Sequence, residues 1–125
     1  MIVTIHRGSY EIGGSCIEIS TQKTKILIDI GLPLDFDKRP QKEQQQIRQS
    51  AKEWCADVDA IFISHYHADH HGLLPELEHD VPVYMTAGTH AMLRVSETIH
   101  QNSGTRYMEC IHIIPRTANG KSFLP

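Results

Sequence analysis

The chain has 125 residues, 40% hydrophobic and 22% charged, with a formal net charge of −3. That size suits one domain, and the balance excludes wholesale disorder and a fibrous repeat. No apolar run approaches the ~20 residues of a membrane span, and the first seven residues lack the basic start and apolar stretch of a secretory signal. The mild negative charge gives no electrostatic reason to expect a nucleic-acid partner and does not exclude one. Cys16, Cys55 and Cys110 form no Cys-x-x-Cys pair, so they read as reduced thiols, which points to a cytoplasm.

Residues 1–6 alternate weakly and predict a first strand, and residues 7–14 hold three glycines and predict a turn. Residues 15–20 and 25–30 are β-branched runs separated by a polar turn, which predicts a hairpin. Residues 31–40 leave the sheet as an irregular loop. Ile47, Ala51, Trp54 and Cys55 then fall at i, i+4, i+7 and i+8, with Gln, Lys and Glu opposite, which predicts an amphipathic helix over residues 41–55. Ala60-Ile-Phe-Ile63 is a continuous apolar run suited to a buried central strand. Residues 81–85 predict another strand. Thr86 or Thr89 can cap a helix running to about Gln101, with Met92, Leu93, Ser96 and Ile99 on one face. Residues 108–114 predict a last strand, and the chain ends without a terminating element. There is no repeat and no linker, so the elements make one unit of mixed α and β.

Nine histidines are the compositional anomaly, and five lie between His65 and His79. Directly after the central strand stands His65-Tyr-His67-Ala-Asp69-His70, an H-x-H-x-D-H pattern. Two histidines two residues apart in extended chain project to one side and can pinch one cation. Asp69 and His70 follow as the backbone turns toward a short helix, which aims them at a second point nearby. Imidazole suits zinc and other first-row metals, and a carboxylate adds charge neutralisation. His71 is open between a supporting or substrate-facing role and plain exposure. The run Gly8-x-x-x-x-Gly13-Gly14-Ser15 superficially resembles a phosphate-binding loop. It lacks the lysine and joins two strands, so it reads as a turn at the sheet rim.

These residues resemble the metallo-β-lactamase fold superfamily, whose signature is H-x-H-x-D-H after a buried strand. Leu27-Ile-Asp-Ile-Gly31 is similar to that family's earlier Asp-Gly strand end. Glu11-Ile-Gly-Gly-Ser-Cys16 and His71-Gly-Leu-Leu-Pro75 resemble the RNA-processing β-CASP, ribonuclease J-like branch. The resemblance implies a metal-dependent hydrolase in which His65 and His67 bind a first metal and Asp69 and His70 a second. The implied ions are two zincs, with Mn or Fe as substitutes. Asp29 would support the site without binding metal, and Asp69 would also serve catalysis by orienting a metal-bound hydroxide or accepting its proton. The implied substrate is an RNA-type phosphodiester. A small-molecule esterase or thioesterase similar to the glyoxalase II types is the alternative, and a non-catalytic metal-binding fragment is another.

The family completes its site with two later histidines and a bridging aspartate. Here His79, His90, His100 and His112 are what remains, and none stands in a matching context. His90 lies near the start and His100 near the end of the predicted helix, where a histidine serves the helix dipole more readily than a metal. Residues 1–125 therefore read as a single partial domain, the N-terminal half of an αββα sandwich with a mixed sheet and flanking helices, inactive alone. Such a half leaves one apolar sheet face bare, which implies a homodimer, a domain-swapped dimer, aggregation, or a place as a piece of a longer protein.

Overall fold

The structure, a computed structural model, describes residues 1–100 and 106–115, without the side chains of Ile99, His100 and Arg106. The predicted helix end at Gln101, the roles of Ile99 and His100, and the tail after Pro115 lie outside the described residues. Six strands form one sheet whose spatial order is the chain order: β1 Ile2–Arg7, β2 Cys16–Ser20, β3 Lys25–Ile28, β4 Ala60–Phe62, β5 Val83–Thr86 and β6 Ile111–Ile114. β1, β2 and β3 pair antiparallel, and β3 to β6 pair parallel. The helices are α1 Gln41–Cys55, the short α2 Ala68–His71 and α3 Ala87–His100.

The β2–β3 hairpin closes where Thr21 donates its N–H to the Thr24 carbonyl (2.8 Å) and accepts the Thr24 N–H on its hydroxyl (3.0 Å). The amphipathic spacing of α1 buries Ile47, Ala51 and Cys55, as the sequence requires. Of the two threonines able to cap α3, Thr86 does so, accepting the Thr89 N–H at 3.2 Å. Several boundaries shift from the sequence reading, two of them for reasons the structure makes plain. β3 stops at Ile28 because Asp29 takes φ 60°, which no strand accommodates. The expected strand over residues 108–114 begins only at Ile111, since Arg106–Cys110 is a 3-10 turn.

Each parallel step, β3 to β4 to β5 to β6, moves in the same direction across the sheet. Right-handed crossovers then carry every connecting segment over the same face. That face is the core: Leu27, Ile61, Val83 and Met85 from the strands meet Ile47, Ala51 and Cys55 of α1 and Leu93 of α3, all buried. The strand registers place Val3, Ile5, Ile17, Ile19, Ile26, Ile28, Phe62 and Tyr84 on the opposite face. None of these joins the buried core. Val3 and Ile5 are each 56% exposed. Across this bare face Phe62, Tyr84 and His112 stack ring on ring, with centroids 5.1 and 5.0 Å apart. No helix among the described residues is long and apolar enough to cross a membrane.

Cys16 and Cys55 lie wholly inside the core, and burial pushes each thiol up to about 12. At pH 8 that leaves a thiolate fraction of roughly one in ten thousand. Native protein treated with a disulfide reagent at pH 8 will therefore leave Cys16 and Cys55 unmodified until denaturant is added. Peptide mapping of the two labelled sites checks this, and fast native labelling would mean that the α1 side of the sheet is not packed.

Candidate metal centre

The site begins at the C-terminal ends of β3 and β4, where two parallel strands point their chain ends at the same place. The Asp29 N–H still follows the sheet, donating to the Phe62 carbonyl at 2.8 Å. Its left-handed φ then swings the side chain across the end of β4. A non-glycine residue there carries a backbone cost of about 1 kcal/mol, which the surrounding bonds must offset. They do so on a carboxylate that is 4% exposed. Asp29 Oδ1 accepts the Ser64 N–H at 2.8 Å, and Oδ2 accepts the Ser64 hydroxyl at 2.8 Å and His70 Nδ1 at 2.7 Å. With Nδ1 carrying the proton given to Asp29, the lone pair of His70 is on Nε2, which faces the cluster.

The segment bearing Asp69 and His70 is fixed by its backbone. Ile30 N–H donates to the His70 carbonyl (2.8 Å), Leu32 N–H to Ala68 (3.0 Å) and Ser15 N–H to Asp69 (3.1 Å). Gly31 makes this possible. A Cβ on it would lie 1.7 Å from the Asp69 carbonyl oxygen and 2.2 Å from the carbonyl carbon. Only a residue without a side chain lets the two backbones come so close. His67 is extended (φ −73°, ψ 144°) and precedes the first turn of α2, so the chain bends between the two histidines of the pair and the Asp69-His70 pair.

His65, Asp69 and His70 each present one donor atom within 4.8 Å of the others. His67 stands beside this group, its Nδ1 3.1 Å from His65 Nε2, and His70 Nε2 lies 3.5 Å from Asp69 Oδ2. Two ligands bonded at 2.0–2.1 Å on a tetrahedral ion sit about 3.3 Å apart, so the His65–His67 and His70–Asp69 spacings both suit adjacent vertices of coordination shells. Two imidazoles and a carboxylate, partly open to solvent, are the donors that zinc and neighbouring first-row ions prefer. The donor set therefore fits a metal. His71 faces away from the cluster: its Nε2–H donates to the Tyr66 carbonyl at 2.9 Å, and burial keeps its pKa below the ordinary histidine value. His79, His90 and His112 belong to no such group among the described residues.

Two contributors were not singled out from the sequence. Ser64 links Asp29 to the histidines, its hydroxyl 3.3 Å from His65 Nδ1 and 3.1 Å from His70 Nδ1. A small hydroxyl residue immediately before the first histidine was the available signal. Gly31 reads from the sequence as a strand end and the start of a loop, and its close approach to Asp69 leaves no local pattern.

Comparison with known proteins shows the family of the chain. The profile of the Metallo-beta-lactamase superfamily matches residues 10–107. A probable RNase MJ4 of Methanocaldococcus jannaschii is 43% identical over 95 residues, covering 73% of this chain and 20% of that protein. The transcription termination factor FttA of Methanothermobacter thermautotrophicus is 32% identical, covering 78% of this chain and 16% of its own length. Integrator complex subunit 11 of Danio rerio is 34% identical, covering 66% and 14%. The chain thus spans a fifth or less of these relatives. The short form of human tRNase Z superposes with a TM-score of 0.52 at 19% identity, over 94% of this chain and 46% of that one. At that identity the likeness concerns the fold.

Two substitutions test the framework. Asp29→Ala strands the Ser64 and His70 donors and keeps a β-carbon at positive φ, so it will cost about 3 kcal/mol, and Asp29→Asn about half of that. Urea unfolding midpoints measure both, and no cost for Asp29→Asn would mean that the carboxylate charge is idle. Gly31→Ala will cost more than about 3 kcal/mol or abolish the cooperative transition, because backbone atoms of α2 must move.

Proposed function

Because the chain belongs to the metallo-beta-lactamase superfamily, we propose that residues 65–70 are one part of a two-metal hydrolytic centre acting on RNA phosphodiesters. The observation that supports this most directly is the convergence of His65, Asp69 and His70 donors within 4.8 Å at the ends of β3 and β4. The relatives named for RNase activity favour RNA over a small ester. In this reading His65 and His67 hold a first ion, and Asp69 and His70 a second. Zinc is the leading candidate, with Mn or Fe able to substitute. Bound there, the ions would supply an acidified water and neutralise charge on the attacked phosphate.

The chain's own residues supply the rest. Asp29 holds His70 by its Nδ1 proton, so the ring presents Nε2 without rotating. Ser64 closes the same bond network from the other side. Asp69 is the carboxylate placed to orient the attacking water or to take its proton. His71 braces the Tyr66 carbonyl and so holds the segment that joins His65 to His67. The reducing cytoplasm is the setting for such an RNA hydrolase.

The bare sheet face supports a second element of the proposal. Residues 1–125 act as a partial domain, the N-terminal half of an αββα sandwich, and in isolation two copies associate through Ile17, Ile19, Ile26, Ile28 and Phe62. Sedimentation equilibrium will give twice the 14.2 kDa chain mass, and Ile19→Lys will return it to the monomer mass. A monomer for the unaltered chain sinks this element.

The metal reading has a separate test. Zinc-loaded and manganese-loaded chain is assayed for bound metal and for cleavage of bis-p-nitrophenyl phosphate and a thioester. Metal bound by the unaltered chain and weakened at least about tenfold in His67→Ala supports the centre. Phosphodiester cleavage lost on chelation and in His67→Ala supports the RNA reading, whereas thioester cleavage alone moves the assignment to the esterase class. Bound metal with no turnover means that the chain alone is an incomplete, non-catalytic part.

A further inference from the structure

The turn between β1 and β2 borders the site, yet nothing apolar anchors it. Gly8, Gly13 and Gly14 take left-handed φ of 91°, 79° and 70°. Its two large apolar side chains, Tyr10 and Ile12, stand 102% and 83% exposed. Such a turn loses much conformational freedom on ordering, so specific ties must hold it. It nevertheless touches the functional segment. A Cβ on Gly13 would lie 3.0 Å from Asp69 Cβ, and Ser15, just past the turn, donates its N–H to the Asp69 carbonyl at 3.1 Å.

The ties converge on Glu11. A bulge between Ile5 and Arg7 inserts one residue into β1, so Arg7 stands opposite Cys16 where His6 would otherwise be. From there Arg7 donates Nε (2.9 Å) and Nη2 (2.7 Å) to Glu11 Oε1. Arg39, in the loop before α1, donates Nη2 to Glu11 Oε2 at 2.8 Å and Nε to Asp35 Oδ1 at 2.8 Å. One carboxylate therefore joins the end of β1 to the far loop, with the glycine turn between them. The three side chains are 29%, 10% and 23% exposed. Partial burial of this kind keeps charge-assisted bonds stronger than those of open surface pairs. Burial by itself pushes the Glu11 carboxyl up, and Arg7 and Arg39 bring it below the ordinary glutamate value. A second contact holds the same turn, a bridge from Gly13 to Pro33 on the loop that Arg39 ends.

We propose that Glu11 is a positioning residue for Asp69: its bridge between Arg7 and Arg39 presses the glycine turn against α2 and fixes where the Asp69 carboxylate stands relative to His65 and His70. Its functional meaning rests on the metal reading of the centre, but its structural content does not. Glu11 touches neither metal donors nor the space between them. It acts through the turn, Ser15 and the Asp69 backbone.

The test is amide hydrogen exchange on the metal-free 125-residue chain, comparing the unaltered protein with Glu11→Gln and with Arg39→Gln, which cuts one arm only. Asp57→Asn serves as the control, since it removes an ion pair with Lys25 (2.7 Å), more exposed and outside the site. The expected result is a loss of protection of about tenfold at Ser15 and Leu32 in Glu11→Gln, with a smaller loss in Arg39→Gln. Ile61 and Ile63, which bond across to β5, keep their protection in both variants. A uniform loss at Ile61 and Ile63 would show that Glu11 only adds global stability, and unchanged protection at Ser15 would show no positioning; either overturns the proposal. Zinc titration gives the functional readout: affinity falls severalfold in Glu11→Gln and not in Asp57→Asn. An unaltered chain that binds no zinc defeats the metal reading, while the exchange data still decide the role of Glu11.

Discussion

One buried carboxylate organises this molecule. Asp29 lies where β3 ends, and its bonds reach Ser64 just past β4 and His70 on α2, so three segments meet on two oxygen atoms. The left-handed φ that ends β3 is the same feature that turns the carboxylate inward. Backbone strain and side-chain satisfaction are thus two sides of one arrangement, and strain of this sort persists only where neighbours over-determine it. The three backbone and side-chain links from residues 29–32 to residues 68–70 then leave α2 little freedom, although four residues of helix have almost no stability of their own.

The second constraint is directional. Because β3 to β6 advance across the sheet in one sense, right-handed crossovers put α1, α2 and α3 on one side. Among the described residues an apolar face is left without a layer over it. The sequence of β3 and β4 implies this: Ile26, Ile28 and Phe62 alternate with Leu27 and Ile61 of the covered face, and a strand that is apolar on both faces expects cover on both.

Much of the fold and centre was legible because it rests on local patterns. The H-x-H-x-D-H run lies within six residues, and the helical spacing of α1 is contained in fifteen. Thr86 could be named as a cap, although choosing it over Thr89 needed the N–H geometry. What escaped were features defined by two distant segments. The early end of β3 depends on Asp29 finding Ser64 and His70. The importance of Gly31 comes from the Asp69 carbonyl, and that of Glu11 from Arg39 across an intervening hairpin. The 3-10 turn over Arg106–Cys110 replaced the first residues of an expected strand because β-branched Ile111–Ile114 alone continue the ladder with β5.

The strand order carries a consequence for how the chain acquires its structure. Since spatial order equals chain order, no strand has to insert between two that are already paired. Each addition closes a loop against the immediately preceding element, which keeps loop-closure entropy low and favours rapid folding. Every side chain of the metal cluster and its supports lies within the first 71 residues. During synthesis these donors are therefore exposed to folding before β5 and β6 exist, and those two strands extend the sheet beside donors that have already been made.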